Sequence, residues 1–157
     1  MPSEKSKTGK KPQLKLTKAA DPVTRSVAAR WTPKLAKSFT PVSDYFLENY
    51  HRLKFPLTSA EAMLVIQLMS FKWDEEMPYP SFKRLATRMG KSVTAVRKDA
   101  RSLQGKGCLR RYKQVGTTNR FDLTPLFEQL EVMQKQDDAA KAKAETVGAK
   151  SERAKTA

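Results

Sequence analysis

Residues 81–105 read SFKRLATRMGKSVTAVRKDARSLQG, and they hold the start and stop signals of two helices. Ser81 and Ser92 each precede apolar residues at helical spacing, and a serine in that position caps a helix by accepting a hydrogen bond from a free backbone amide. Gly90, between the two runs, suits the left-handed residue that ends a helix. The stretch therefore predicts two short helices joined by a tight turn.

The second of these helices, predicted over residues 92–104, has two different faces. Apolar residues recur every three or four positions from Val93 to Leu103, which is typical of a face turned to a protein core. The rest of the surface is basic and polar, because residues spaced by three, four or seven positions share one side of a helix. This surface consists of Thr94, Ala95, Arg97, Lys98 and Arg101.

Upstream of this pair, the sequence predicts two further helices. Residues 42–55 suit a short helix followed by an irregular segment, because their aromatic and aliphatic side chains are frequent but unevenly spaced. Thr58 and Glu61 form the pattern of a reciprocal capping box at the start of the next helix. That helix is apolar on nearly all sides as far as Trp73, which is typical of a central buried helix.

Downstream of the pair, the sequence predicts a hairpin and a last helix. Residues 109–123 contain two β-type runs separated by a turn, so they are expected to form a two-stranded hairpin. Thr124 and Pro125 then open a helix at 125–135, since proline is well tolerated in the first helical turn. Its apolar stripe consists of Leu126, Phe127, Leu130 and Met133.

The order of these elements predicts the fold class. It is mainly α with a small β-hairpin, and two short helices followed by a hairpin are typical of a winged helix-turn-helix. We place this domain at residues 39–135. Residues 1–38 are rich in lysine and poor in apolar residues, which predicts a flexible, disordered basic arm. Residues 136–157 are rich in alanine and lysine and predict a disordered or fraying helical tail.

The charge is strongly positive and unevenly distributed. The chain of 157 residues has 31 Lys and Arg against 16 Asp and Glu, a formal net charge of +15. Residues 81–120 contain twelve basic residues and one acidic residue, Asp99. A surface kept only for solubility would mix both signs more evenly. The pattern therefore favours a polyanionic partner.

Several classes of protein are excluded or disfavoured by composition. A single cysteine, Cys108, rules out a disulfide framework within the chain, and a single histidine, His51, rules out a finger-type zinc site. No apolar run approaches the roughly 20 residues of a membrane span, and the N-terminus has no secretory h-region. We expect a non-enzymatic, cytoplasmic, nucleoid-associated protein without cofactor, metal site, membrane contact or small-molecule ligand.

The residues that define the helix pair and the hairpin also carry a family resemblance. Residues 39–131 resemble the bacterial helix-turn-helix domain proteins with a winged-helix fold, a group that includes DNA-binding domains of phage and plasmid replication-initiation proteins. The resemblance implies binding of duplex DNA with the third helix in the major groove. The matching positions are Ser81, Leu85, Ala86, Gly90, Ser92, Val96, Leu103, Gly107 and Leu109, whereas Cys108 stands where an aliphatic residue is usual.

The sequence therefore predicts a sequence-specific double-stranded DNA-binding protein that acts as a transcriptional regulator. Helix 92–104 is expected to read the major groove, while the wing, residues 109–123, follows the DNA backbone. The second helix normally crosses the backbone, so its cations are expected to contact phosphates. The candidate DNA-binding residues are Lys83, Arg84, Lys91, Ser92, Thr94, Ala95, Arg97, Lys98, Arg101, Arg110, Arg111, Lys113, Asn119 and Arg120.

Other functions remain open from the sequence. A replication-initiation factor of a phage or plasmid would use the same surface, and so would an RNA-binding or ribosome-associated winged helix. An acidic protein is a further possible partner of the basic face. The stripe on helix 125–135 is compatible with a homodimer, although it is equally suited to packing on its own domain.

Overall fold

The computed structural model describes residues 27–156. Its contacts divide the chain into two units, residues 1–39 and 40–157. In the first unit, a one-turn helix α1 (Val27–Arg30) precedes a 3₁₀ turn at Leu35–Lys37. The remainder of the predicted arm, residues 1–26, lies outside the described residues.

The second unit is mainly helical with one small antiparallel hairpin, as the sequence predicts. A short helix comes first and is followed by a 3₁₀ turn at Tyr50–Arg52. None of the helices between residues 27 and 156 is both long and apolar enough to cross a bilayer. The elements are α2 (Asp44–Asn49), α3 (Ser59–Met69), α4 (Phe82–Met89), α5 (Val93–Gly105), β1 (Arg110–Tyr112), β2 (Arg120–Asp122) and α6 (Thr124–Lys155).

The predicted caps position the helices. The Glu61 amide donates to Thr58 Oγ1 at 3.2 Å, while the Thr58 amide donates to Glu61 Oε2 at 2.9 Å, so the capping box of α3 is complete. Ser81 and Ser92 each accept a 3.1 Å hydrogen bond from a first-turn amide of α4 and α5. Gly90 has a φ of +63°, the left-handed conformation expected between these two helices. The predicted starts of α3, α4 and α5 are therefore confirmed.

The core lies where α3 packs against both α4 and α5. Leu64, Val65 and Leu68 of α3 are fully buried there, which confirms α3 as the central helix. The apolar stripe of α6 packs back on this core, with Leu126 and Leu130 buried. Cys108 is also buried, and burial raises the pKa of its thiol. Other buried members are Phe46, Leu53, Leu57, Ala62, Leu85, Ala86, Val96, Ala100, Leu103, Leu109, Phe121 and Leu123.

The hairpin is held against the segment that precedes α4. Its register pairs Arg110 with Asp122 and Tyr112 with Arg120. The Phe121 amide donates to the Pro78 carbonyl at 2.9 Å, so residues 78–80 run beside β2. The Thr118 hydroxyl donates to the Tyr79 carbonyl at 2.7 Å. These bonds fix the hairpin next to the start of α4 and so next to α5.

Three element boundaries differ from the sequence prediction. Helix α3 ends at Met69 instead of Trp73, because the chain tightens into turns in which the Phe71 and Lys72 amides donate three residues back. The strands of the hairpin are three residues each, shorter than the runs that predicted them. Helix α6 runs past residue 135 to Lys155, so the tail takes the helical one of its two expected forms, in keeping with the high helix propensity of alanine and lysine.

A hydrogen-bond cluster anchors α6 and a second one anchors α5. Asp137 on α6 accepts from the Tyr45 hydroxyl at 2.7 Å and from both terminal nitrogens of Arg52. At the other cluster, buried Glu61 accepts from the Lys106 ammonium at 2.6 Å and from the Ser102 hydroxyl. Burial alone would raise the pKa of Glu61, but the bonds from Lys106, Ser102 and the Thr58 amide outweigh it and lower that pKa.

We expect Glu61→Gln to lower the free energy of unfolding by about 3 kcal/mol at neutral pH, because the Lys106 ammonium loses its buried partner. The lowered pKa adds a pH dependence. Stability from the carboxylate is fully present above the ordinary value of 4.5 and is lost as the pH falls through the lower value of the folded state. Urea unfolding between neutral and acidic pH would measure both effects. The matched control, Glu75→Gln at an exposed position, should leave both unchanged.

Candidate nucleic-acid interface

A groove of about 440 Å³ lies between α5 and the hairpin, and it brings together six of the fourteen candidate residues. Four of its lining residues carry a positive charge, and no carboxylate is among them. One aromatic side chain completes the lining. The residues are Phe82, Thr94, Arg97, Arg101, Arg111, Lys113 and Asn119.

Regular backbone geometry explains why these residues share the groove. Thr94, Arg97 and Arg101 lie at positions i, i+3 and i+7 of α5 and therefore occupy one side of the helix. Arg111 lies in β1, and Lys113 follows directly after the strand ends at Tyr112. Arg110 does not line the groove, and its guanidinium lies 3.9 Å from Asp122. The wing cations are thus divided between two faces.

Phe82 connects the groove to the core. The guanidinium carbons of Arg97 and Arg111 lie 5.5 and 5.6 Å from the centroid of its ring, within the range of a cation–π contact. The ring meets the buried Phe121 edge to face, with centroids 5.7 Å apart and an interplanar angle of 86°. Phe82 therefore restrains two groove cations and is itself held by the core.

Sequence reasoning assigned Phe82 only to the inward face of α4. The structure shows this residue half-buried, so that part of the ring faces the core and part supports the cations. The available signal is its place directly after the Ser81 cap, at the edge of the apolar face and inside a basic stretch. An aromatic residue in that setting is a candidate for contact with arginine.

The groove cations have no ion-pair partner among residues 27–156. Asp99, the lone acid of residues 81–120, forms its ion pair with Lys91 instead. The two other carboxylates near the hairpin, Asp122 and Glu76, lie beside Arg110 and Arg120. Uncompensated like charges held close together repel one another, and a bound anion would relieve that repulsion.

The remaining candidates on α5 have other surroundings. The Ser92 hydroxyl accepts from the Ala95 amide, so it serves as the cap, and Ala95 is half-buried. Lys98 is exposed but does not line the groove. Lys91 is held by its ion pair with Asp99. None of these four residues lines the groove.

Two of the three candidates on α4 and β2, Arg84 and Arg120, are engaged by aromatic rings. The guanidinium carbon of Arg84 lies 4.7 Å from the ring centroid of Phe71, and that of Arg88 lies 4.6 Å from it. Arg120 lies 5.9 Å from the ring centroid of Tyr79. Lys83 is exposed on α4. None of these side chains lines the groove.

A larger groove of about 820 Å³ lies between residues 52–55 and α6. It contains none of the candidate residues, and the carboxylate-bearing Glu128 is part of its lining. It is therefore a poorer match to a polyanion than the smaller groove, whose charged residues are all cations. In the described part of the chain, no three His, Cys, Asp or Glu residues form a group that could hold a metal ion.

Comparison with known proteins identifies the family. Residues 42–141 match the family described as the DnaD N-terminal domain. The chain belongs to this family. A similar solved structure is the N-terminal domain of DnaD protein from Geobacillus kaustophilus HTA426, with a TM-score of 0.53 and 24% sequence identity over 74% of this chain and 94% of that chain. No curated protein sequence matches the chain.

The DnaD N-terminal domain is related to replication initiation, and this bears on the functions predicted above. Family membership supports the replication-initiation alternative better than the transcriptional regulator. The matched range contains α2 to β2 and the first part of α6, and it includes every residue of the cationic groove. The groove is thus part of the DnaD-type domain itself. Its role as a DNA-binding site stays a prediction.

Arg111 offers a direct test of the groove geometry. Its Nε is buried and has no hydrogen-bond acceptor among the described residues, whereas Arg110 is exposed on the neighbouring position of β1. We expect the Arg111 Nε–H to exchange with solvent more slowly than the Arg110 Nε–H, and Phe82→Leu to remove the difference by uncovering the Arg111 side chain. Hydrogen exchange of labelled arginine side chains by NMR measures both rates. Equal rates in the unmodified protein would contradict the packing described here.

Proposed function

We propose that this protein binds double-stranded DNA as a replication-initiation factor of the DnaD type, without catalytic activity of its own. In this proposal, α3, α4, α5 and the hairpin act as a winged helix-turn-helix, with α5 as the recognition helix and the hairpin as the wing. The observation that carries it is the groove, where cations from two separate elements meet with no carboxylate in the lining.

The local geometry supports the entry of α5 into a major groove. The major groove of B-DNA admits one α-helix, and the N-terminal residues of a recognition helix reach base edges. Thr94, Arg97, Lys98 and Arg101 are exposed on the N-terminal two-thirds of α5. Lys83 is exposed in the first turn of α4 and is available to a flanking phosphate.

The charge pattern supports a polyanion over an acidic protein. Binding to DNA releases condensed counterions, and each phosphate contact adds to the affinity and to its salt dependence. The groove cations lack carboxylate partners among residues 27–156, so they are available for such contacts. Duplex DNA is also favoured over single-stranded RNA, because the one aromatic ring in the groove is covered by guanidinium groups instead of being open for base stacking.

We expect Arg97→Ala/Arg101→Ala to weaken binding to duplex DNA by about tenfold or more at about 0.15 M salt, since each well-placed arginine contact contributes roughly 1–3 kcal/mol. Fluorescence anisotropy with a labelled duplex measures the effect, and circular dichroism checks that the variant is folded. The matched control is Lys54→Ala/Lys135→Ala, which removes the same charge at exposed positions outside the groove.

Equal weakening in the control would show that only net charge matters and would overturn the assignment of this face. Tighter binding to a structured RNA of the same length than to the duplex would move the protein to the RNA-binding class. Binding to an acidic protein but to neither nucleic acid would overturn the proposal as a whole.

A further inference from the structure

We infer that the groove between α5 and the hairpin is a phosphate clamp that holds one phosphodiester group of the DNA backbone. The inference rests on the proposed function and deepens it. It assigns Arg97 and Arg101 to positioning the duplex, in contrast to the base-reading role that the sequence predicts for them. Sequence-independent affinity would then come from the groove, and base contacts would be left to residues outside it.

The chemistry of the lining matches a phosphate. Every polar group that lines the groove can donate hydrogen bonds: three guanidinium groups, one ammonium, the Thr94 hydroxyl and the Asn119 amide. A phosphodiester offers acceptor oxygens and a full negative charge. The edge of a guanine also offers acceptors, but it is neutral and leaves four positive charges uncompensated. Arginine is well suited to phosphate because its planar fork binds two oxygens at once.

The shape of the groove also favours the DNA phosphate backbone over a base edge as the ligand. Base edges lie at the floor of the major groove, and side chains that project from a convex helix face reach them. The cationic groove is instead recessed between α5 and the hairpin, so an entering ligand must itself project from its surface. The phosphate ridge of a duplex does so.

Phe82 restrains two of the cations to the walls of the groove. The guanidinium groups of Arg97 and Arg111 both pack on its ring, which the buried Phe121 holds from the other side. A side chain held in this way loses little further freedom when an anion binds, so the site is preorganised.

Two single substitutions test the clamp, one on the α5 wall of the groove and one on the hairpin wall. We expect Arg101→Ala and Lys113→Ala each to weaken binding by the same factor on two duplexes of unrelated sequence. Because both side chains hold the same phosphate, Arg101→Ala/Lys113→Ala together should lower the magnitude of the slope of log affinity against log salt by about 0.9, the value for one phosphate. The wild type then loses about threefold more affinity than the double variant between roughly 50 and 200 mM salt. The matched control is Lys54→Ala/Lys135→Ala, at exposed positions outside the groove lining and outside the candidate DNA-binding residues.

The clamp requires Arg101→Ala and Lys113→Ala to weaken binding in the same way on both duplexes. Weakening on one duplex only, with an unchanged salt slope, would show base reading by Arg101 and overturn the clamp while leaving DNA binding intact. A salt slope that falls equally in Lys54→Ala/Lys135→Ala would also overturn it, because the groove would then be no different from other exposed cations of the protein.

A second arm uses inorganic phosphate as the probe and separates the clamp from the proposed function. A ligand that binds the folded state raises the melting temperature. We expect phosphate, compared with chloride at equal ionic strength, to raise the melting temperature of the wild type and of Lys54→Ala/Lys135→Ala more than that of Arg101→Ala/Lys113→Ala. This result without DNA binding would retain the anion site for a free phosphate compound and sink the DNA-binding proposal. Equal shifts in all three proteins would overturn the clamp.

Discussion

The edge-to-face contact between Phe82 and Phe121 links the interior of this protein to its charged face. Phe121 is buried in the core with α3, and its amide is bonded to the Pro78 carbonyl just before α4. Phe82 extends from this contact toward the solvent, where Arg97 and Arg111 pack on its ring. Because one ring is shared by α4, α5 and β1, the distance between the two walls of the groove is set by the core.

Much of the fold was predictable because its signals are local. Ser81 and Ser92 accept the expected capping bonds, Thr58 and Glu61 form the expected box, and Gly90 has the expected positive φ. Each of these depends on residues at most a few positions apart. The length of α6 was harder to predict, since an alanine- and lysine-rich segment is a good helix former with no core to hold it. Its bond network through Asp137 links it to α2, a contact between distant parts of the chain.

The candidate site was predictable as a face but not as a groove. The spacing of Thr94, Arg97 and Arg101 on one helix follows from helical periodicity alone. Arg111 lines the groove with them, whereas Arg110 does not. This difference depends on the register of the hairpin against α5, which no local pattern specifies. The pairing of Asp99 with Lys91 likewise decides which cations remain unpaired in residues 27–156, and it depends on the geometry of the turn between α4 and α5.

Membership of the DnaD N-terminal domain family and a cationic groove inside the matched range make DNA contact through α5 and the hairpin the central claim. NMR titration of the isotope-labelled protein with a short duplex is the most direct measurement of it. The account predicts that amide shifts concentrate at Thr94, Arg97, Arg101 and the 113–119 turn. Shifts confined to α6 or to residues 52–55, with those amides unmoved, would contradict it.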